Sequence, residues 1–154
     1  QYGCLVYYKR RDQKELSKVR EFLASRHITY NVMEYGNYSQ NALEILAPES
    51  EFCFVLNGTE SQGIAIQEIM SYDTPLFVWD VETWEDQGPK YSVPATSVPY
   101  WSSECGEIFT DVNDMESTFD KFYGKMNEYT PRQFVEKNLS YKKSVEILLE
   151  IFND

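Results

Sequence analysis

Histidine is almost missing from this sequence, and its scarcities set the first limits on what the protein does. His27 is the single histidine, and Cys4, Cys53 and Cys105 are the only cysteines, dispersed along 154 residues. Structural zinc sites draw four ligands from these two residue types at short spacings, so no zinc site is expected. The acidic residues show no calcium-ligand spacing either. His27 follows a basic stretch at the end of a helical pattern, which suits a cationic helix C-terminus better than acid–base catalysis. Ser103, Glu104 and Cys105 lack the G-x-S-x-G frame of a nucleophile elbow. Positive charge is also short: 14 lysines and arginines against 25 acidic residues leave a formal net charge of −11. A nucleic-acid surface needs a basic stripe to neutralise phosphates, so nucleic acid is not an expected partner. A nucleotide is still admissible, because one helix N-terminus with one or two lysines can hold a diphosphate. No apolar run approaches the ~18–20 residues of a membrane span. The charges of YKRRDQKE break the first apolar run too early for a signal peptide. Internal repeats, low-complexity stretches and domain linkers are absent as well.

What is present points to one ordered domain spanning residues 1–154, with 42% apolar and 16% aromatic residues and enough length for a real core. Cys4 and Cys53 lie inside apolar runs, as buried free thiols of a reducing, cytoplasmic compartment would. The sequons at Asn37, Asn57 and Asn138 carry no weight there. Gln1 in place of methionine suggests a fragment or a processed chain.

CLVYY (4–8) reads as a strand. DQKELSKVREFLASRH (12–27) reads as a helix with Leu16, Val19, Phe22 and Leu23 on one face, capped by Asp12 with Glu15 three residues on. A strand over 28–35, a short helix over 39–47 stopping before Pro48, and a buried strand at FCFVL (52–56) follow. Then come a helix over 63–71, a strand at PLFVW (75–79) and an irregular acidic loop over 80–94. Short strands are expected near 95–98 and 107–109. The tail reads as helices over 114–127, 131–138 and 140–152, the last with an apolar stripe of Val145, Leu148, Leu149 and Phe152. This rhythm predicts an α/β fold: a single Rossmann-like, doubly wound parallel sheet with a C-terminal helical extension (114–152) packed back on the sheet.

In such sheets ligands bind outside the carboxyl ends of the strands. There the segment NGTESQG follows the buried strand FCFVL. A helix starting near Ser61 turns its free amides and positive dipole end toward that cleft, and Gly63 lets a ligand approach the backbone. Glu60 projects from the turn, and Glu68 lies roughly 12 Å further along at ~1.5 Å per residue. Two carboxylates at that separation suit a ligand with hydroxyls at both ends of a diphosphate, although two glutamates alone are more often a solvated helix face. Lys9, Arg10 and Arg11 fit a phosphate grip or a solvated strand end. Trp79, Trp84, Tyr91, Tyr100 and Trp101 fit either core packing or stacking on a ring in the cleft.

The stretch ESQGIAIQEIMSYDTPLFV resembles the Glu-x7-Glu segment of retaining glycosyltransferases of the GT-B fold, in the large group that includes glycogen and sucrose-phosphate synthases. Glu60, Gly63, Glu68, Met70 and Pro75 stand in matching places. ATSVPYWSSECGEIF (95–109) is similar to the segment after that strand, and LSYKKSVEILLEIF (139–152) to the closing helix. The resemblance implies that Glu60 contacts the transferred sugar as the catalytic carboxylate and that Glu68 holds the nucleotide ribose. It further implies that Ser61, Gln62 and Gly63 offer amides to the diphosphate, and that Lys9 and Lys14 form the basic pair on it. Asp73 stands where the family has a small residue, and the acidic segment 80–94 is atypical. The chain matches only the donor-binding half of a GT-B enzyme. It is therefore expected to hold a UDP- or GDP-linked sugar without metal or cofactor, to meet its acceptor sugar or glycan through a missing N-terminal domain, and to transfer nothing alone. The alternative is a non-catalytic α/β module that binds a nucleotide or a protein. A flavodoxin- or receiver-like signalling domain would place acidic residues where KRR follows the first strand.

Overall fold

A computed structural model describes residues 2–85 and 92–153. Its centre is a five-stranded sheet whose strands are all parallel. In chain order they are β1 (Tyr2–Lys9), β2 (Tyr30–Glu34), β3 (Ser50–Asn57), β4 (Leu76–Trp79) and, after a short hairpin, β7 (Gly106–Phe109); their order in space is β2-β1-β3-β4-β7. Numbered along the chain within the sheet this order is 2-1-3-4-5, the flavodoxin-like form of the doubly wound sheet, whose strand order reverses between β1 and β3. The continuous apolar runs CLVYY and FCFVL take the middle positions because both of their faces are covered. Cys4, Val6 and Tyr8 of β1 face one helical layer, and Leu5 and Tyr7 face the other.

The first layer holds α1 (Gln13–Ser25) and α4 (Met115–Gly124). Leu16, Val19, Phe22 and Leu23 of α1 all bury there, as the helical spacing predicts. Asp12 caps α1 in a full capping box with Glu15. At its other end His27 takes φ 56° while His27 and Ile28 donate back to Ala24 and Leu23. That is a Schellman closure with an exposed histidine at its left-handed residue. Phe119 and Phe122 of α4 pack against Phe52 and Phe77 at centroid separations between 5.2 and 5.7 Å, the Phe52–Phe122 and Phe77–Phe119 pairs edge-on and the other two tilted. The second layer holds α2 (Gln40–Glu49), α3 (Ile64–Ser71) and α5 (Pro131–Asn138), with Leu43, Ile66, Ile69, Met70, Phe134 and Val135 against the sheet. The fold is thus the doubly wound, Rossmann-like α/β arrangement.

Four sequence expectations need correction. Helix α2 does not stop before Pro48 but runs through it to Glu49. Proline in the last turn forfeits only one backbone bond, and β3 begins at the next residue. The acidic stretch 80–94 is not wholly irregular: β5 (Thr83–Glu85) and β6 (Ser92–Pro94) pair as an antiparallel hairpin. No strand forms over 95–98, which is instead a loop tied to the strand ends. Finally, only part of the C-terminal extension packs back. Helix α6 (Tyr141–Asn153) leaves its stripe in solvent, with Leu148 and Leu149 about half exposed and Phe152 at 78%.

Asp73, where the resemblance leads one to expect a small residue, has φ 66°. The backbone is therefore the left-handed one that glycine favours and aspartate tolerates. Its carboxylate accepts from the Arg132 amide at 3.1 Å, fastening α5 to the end of α3.

Candidate functional site

The chain leaves β1 toward β2 on one side and returns to β3 on the other, so the connections after β1 and β3 diverge and open a crevice at the carboxyl end of the sheet. Lys9 ends β1 and Asn57 ends β3, and the two are register partners. The strand ends close tightly here. Arg10 adopts φ 53°, and a Cβ on Gly58 would stand 2.5 Å from the Arg10 carbonyl oxygen. Gly63 caps α3 in the left-handed conformation at φ 64°, with Pro99 at ordinary contact distance. Conformation, not space, calls for glycine there.

Helix α3 therefore begins at Ile64, not near Ser61. Ser61 and Gln62 lie in the turn before it, because a left-handed residue interrupts the helix at Gly63. The amides without an intrahelical acceptor are those of Ile64, Ala65 and Ile66, since Gln67 makes the first bond, to Gly63.

Glu60, Ser61, Gln62, Gly63, Glu68 and Lys9 all line one cavity of about 420 Å³. The two glutamates flanking the turn thus face a common space. The Lys9 ammonium donates to the Glu60 carboxylate, and each of these side chains is only 11% exposed. Lys9 also lies over the Tyr35 ring, 4.3 Å from its centroid. Glu68 accepts from the Gln40 side-chain amide. Tyr7 and Tyr38 complete the wall, their rings edge to face at 6.4 Å. Burial, reinforced by Tyr38 and the negative charge of Glu60, raises the Tyr7 phenol far above its ordinary range. Burial also raises Tyr38, and the charges of Glu68 and Glu60 add to that. Both phenols stay protonated at neutral pH and offer neutral hydroxyls.

A second cavity of about 510 Å³ lies on the other side of Glu60, beneath the β5–β6 hairpin, and shares Lys9, Glu60 and Ser61 with the first. Its remaining wall is Arg10, Thr59, Trp84, Val93, Pro94, Ala95 and Thr96. Asp80, at the end of β4, holds this region together. Its carboxylate accepts from the Thr96 hydroxyl at 2.8 Å and from the Ser97 amide at 2.5 Å. Ser97 donates in turn to the Asn57 carbonyl at 2.6 Å, and the Glu60 amide donates to the Thr96 carbonyl.

Lys14 is not brought to either cavity. It is exposed in the first turn of α1, where only its amide is engaged, by the Asp12 cap. Of the KRR group only Lys9 and Arg10 reach the cavities. Arg11 is structural: it forks onto Glu15, donates to the carbonyls of Asn57 (3.2 Å) and Trp79 (2.9 Å), and stacks 5.1 Å from the Trp79 ring. Trp79 is core, Trp101 is partly buried, and Tyr100 is exposed. Tyr91 lies outside the described residues. Asn57 is wholly buried, which removes its sequon from reach in the folded chain. Its side-chain amide has no hydrogen-bond partner among the described residues. Cys4, Cys53 and Cys105 are buried free thiols, Cys53 pushed up by burial to about 12.

Sequence reasoning missed Tyr35, Tyr38 and Gln40, which arrive from the far side of the crevice after β2, and Asp80, whose role depends on the loop that folds over it. The i, i+2 alternation on β1 was a usable signal for Tyr7 beside Lys9. Two further grooves lie elsewhere: one of about 510 Å³ by the amino end of β3, and one of about 560 Å³ beside β2. Neither contains Lys9, Glu60 or Glu68. Among the described residues no cluster of three histidines, cysteines or carboxylates is arranged to hold a metal, and no helix is long and apolar enough to cross a membrane. Comparison of the chain with protein-family models, with curated proteins and with solved structures finds no match.

Proposed function

We propose that this chain is the donor-binding domain of a retaining glycosyltransferase and holds a UDP- or GDP-linked sugar in the 420 Å³ cavity. The supporting observation is that Glu60 and Glu68, with a glycine-initiated helix between them, face one cavity at the point where the strand order reverses. Carboxylates accept well from paired sugar hydroxyls. Glu68 suits the ribose and Glu60 the transferred sugar. The amides of Ile64, Ala65 and Ile66 with the Lys9 ammonium suit the diphosphate between them. The same groups would take up charge on the departing diphosphate, which is where preorganised donors contribute most to transfer.

In the free protein Lys9 and Glu60 satisfy each other, and the donor would part them, its diphosphate taking Lys9 and its sugar hydroxyls taking Glu60. The acceptor glycan would be presented with the help of a further α/β domain, so the chain alone is expected to bind and not to transfer.

Calorimetric titration with UDP-glucose, GDP-mannose, UDP and GDP tests the proposal. Saturable binding of one nucleotide series, weakened about tenfold or more by Glu68→Ala and by Lys9→Met, is the expected result. A folded chain that binds none of the four would leave the crevice to some other ligand of a non-catalytic module.

A further inference from the structure

The second cavity has a chemistry the donor does not use. Trp84 projects from β5 with 47% of its surface exposed, and its cross-strand partner on β6, Val93, is 43% exposed. Both line the cavity under the hairpin. An aromatic and an aliphatic side chain left in water side by side form an apolar platform. Facing it are groups suited to hydroxyls: the Glu60 carboxylate, the Thr59 hydroxyl, which makes no hydrogen bond among the described residues, and Arg10. Arg10 is exposed, has no ion-pair or hydrogen-bond partner among the described residues, and is held at φ 53°. A flat apolar face opposite charged and hydroxyl groups is the pattern that takes a pyranose ring, whose C–H face stacks while its rim makes hydrogen bonds. The platform is fixed in place: the Ala95 amide donates to the Glu82 carbonyl at 3.0 Å, and the Asp80 carboxylate pins Thr96 and Ser97.

We propose that the cavity under the β5–β6 hairpin is a saccharide subsite, with Trp84 as its stacking platform, and that it receives the acceptor sugar. The assignment to the acceptor rests on the reading of Glu60 as the group that faces the transferred sugar. The two cavities meet at Lys9, Glu60 and Ser61, so a ring under the hairpin and a sugar held by the donor cavity would face each other across the Glu60 carboxylate. On this view the chain carries part of the acceptor site itself, which a further domain of the proposed enzyme would complete.

The test follows the Trp84 indole and the Thr96 amide by NMR of the isotopically labelled chain. The probes are methyl α-glucoside, methyl α-mannoside, methyl β-galactoside, N-acetylglucosamine, maltose, glucuronic acid, UDP and GDP. The expected result is a saturable shift of both resonances by at least one sugar. Both shifts should be retained in Glu68→Ala; at the Thr96 amide, the probe left once the indole is gone, the response should persist in Trp84→Phe and weaken at least tenfold in Trp84→Ala, whose spectrum must otherwise match the parent. A stronger response to glucuronic acid that Arg10→Ala removes would identify an acidic acceptor, and equal responses a neutral one. The proposal is overturned if no sugar moves Trp84, if Trp84→Ala binds as the parent does, or if UDP or GDP alone occupies the cavity. Nucleotide-sugar binding without any sugar response at Trp84 would sink this inference and leave the donor site standing. A sugar response without nucleotide-sugar binding would keep the saccharide subsite and remove its assignment to an acceptor.

Discussion

Arg11 stands where the carbonyl ends of β3 and β4 emerge, and its guanidinium ties both strands to the first turn of α1 through Glu15. That contact has a pH signature. Arg11's hydrogen bonds hold the Glu15 carboxyl below its ordinary value of 4.5, against the opposing effect of burial. A carboxyl whose folded value is depressed adds stability that is complete above the unfolded value and vanishes as pH falls through the folded one. Glu15→Gln keeps the capping-box acceptor but removes the charge. It should cost about 1–2 kcal/mol at pH 7 and flatten the loss of stability below about pH 4.5. Urea unfolding of both chains between pH 7 and pH 3 measures this, and parallel acid limbs would show that the pair is not responsible. A harsher substitution lies at Gly106, the first residue of β7. At φ 150° an added Cβ would fall 1.8 Å from the Leu76 carbonyl oxygen. Gly106→Ala must therefore push β7 off β4, with an expected loss of ~3 kcal/mol or more, or no soluble chain at all.

Among the elements, those most legible in the sequence are the ones buried on both sides. CLVYY reads as a strand and FCFVL as one buried on both faces, because a strand covered on both sides has to be apolar at every residue. The α1 stripe was legible because one face of a helix meets one sheet. The β5–β6 hairpin was not: TWE and SVP are three-residue strands, SVP is exposed throughout, and their pairing leaves no periodic burial to detect. At the site, the Glu60–Glu68 segment was readable because one turn and one helix carry both carboxylates. Tyr35, Tyr38 and Gln40 reach it only through the strand order, which spacing does not encode. Lys14 failed for a related reason: its separation from Lys9 along the chain said nothing about the direction in which α1 leaves β1. The stripe on α6 announced an apolar face without saying what it meets, and within this chain it meets little. Ending the chain after Ser140 should therefore lower unfolding stability by less than about 1 kcal/mol, as befits surface positions. A cooperative drop of several kcal/mol in thermal or urea unfolding would show that α6 docks on the sheet in solution.

For the whole molecule the governing quantity is the net charge of −11. A compact chain of this length has a radius of gyration of about 15 Å. In 10 mM salt the Debye length is ~30 Å, so every excess carboxylate feels the others. At 150 mM it falls to ~8 Å, and most of that repulsion is screened. The same salt weakens the attractive surface pairs, Arg26–Asp120 and Lys121–Glu107, but exposed pairs contribute only ~0–1 kcal/mol each. Repulsion should prevail. Raising NaCl from 10 to 150 mM at pH 7 should therefore add on the order of 1 kcal/mol, a rise in Tm of about 2–4 °C. KCl should do the same, since nothing in the effect is ion-specific. A fall in Tm would mean that the attractive pairs outweigh the excess charge. The same balance bears on the ligand. A protein that grips phosphates with a basic patch loses affinity steeply over this range, whereas here Lys9 is the cation offered to the diphosphate within an acidic molecule. Affinity for the nucleotide series should stay level or rise from 10 to 150 mM salt, and a steep fall would point to a basic surface that the cavity around Lys9 does not supply.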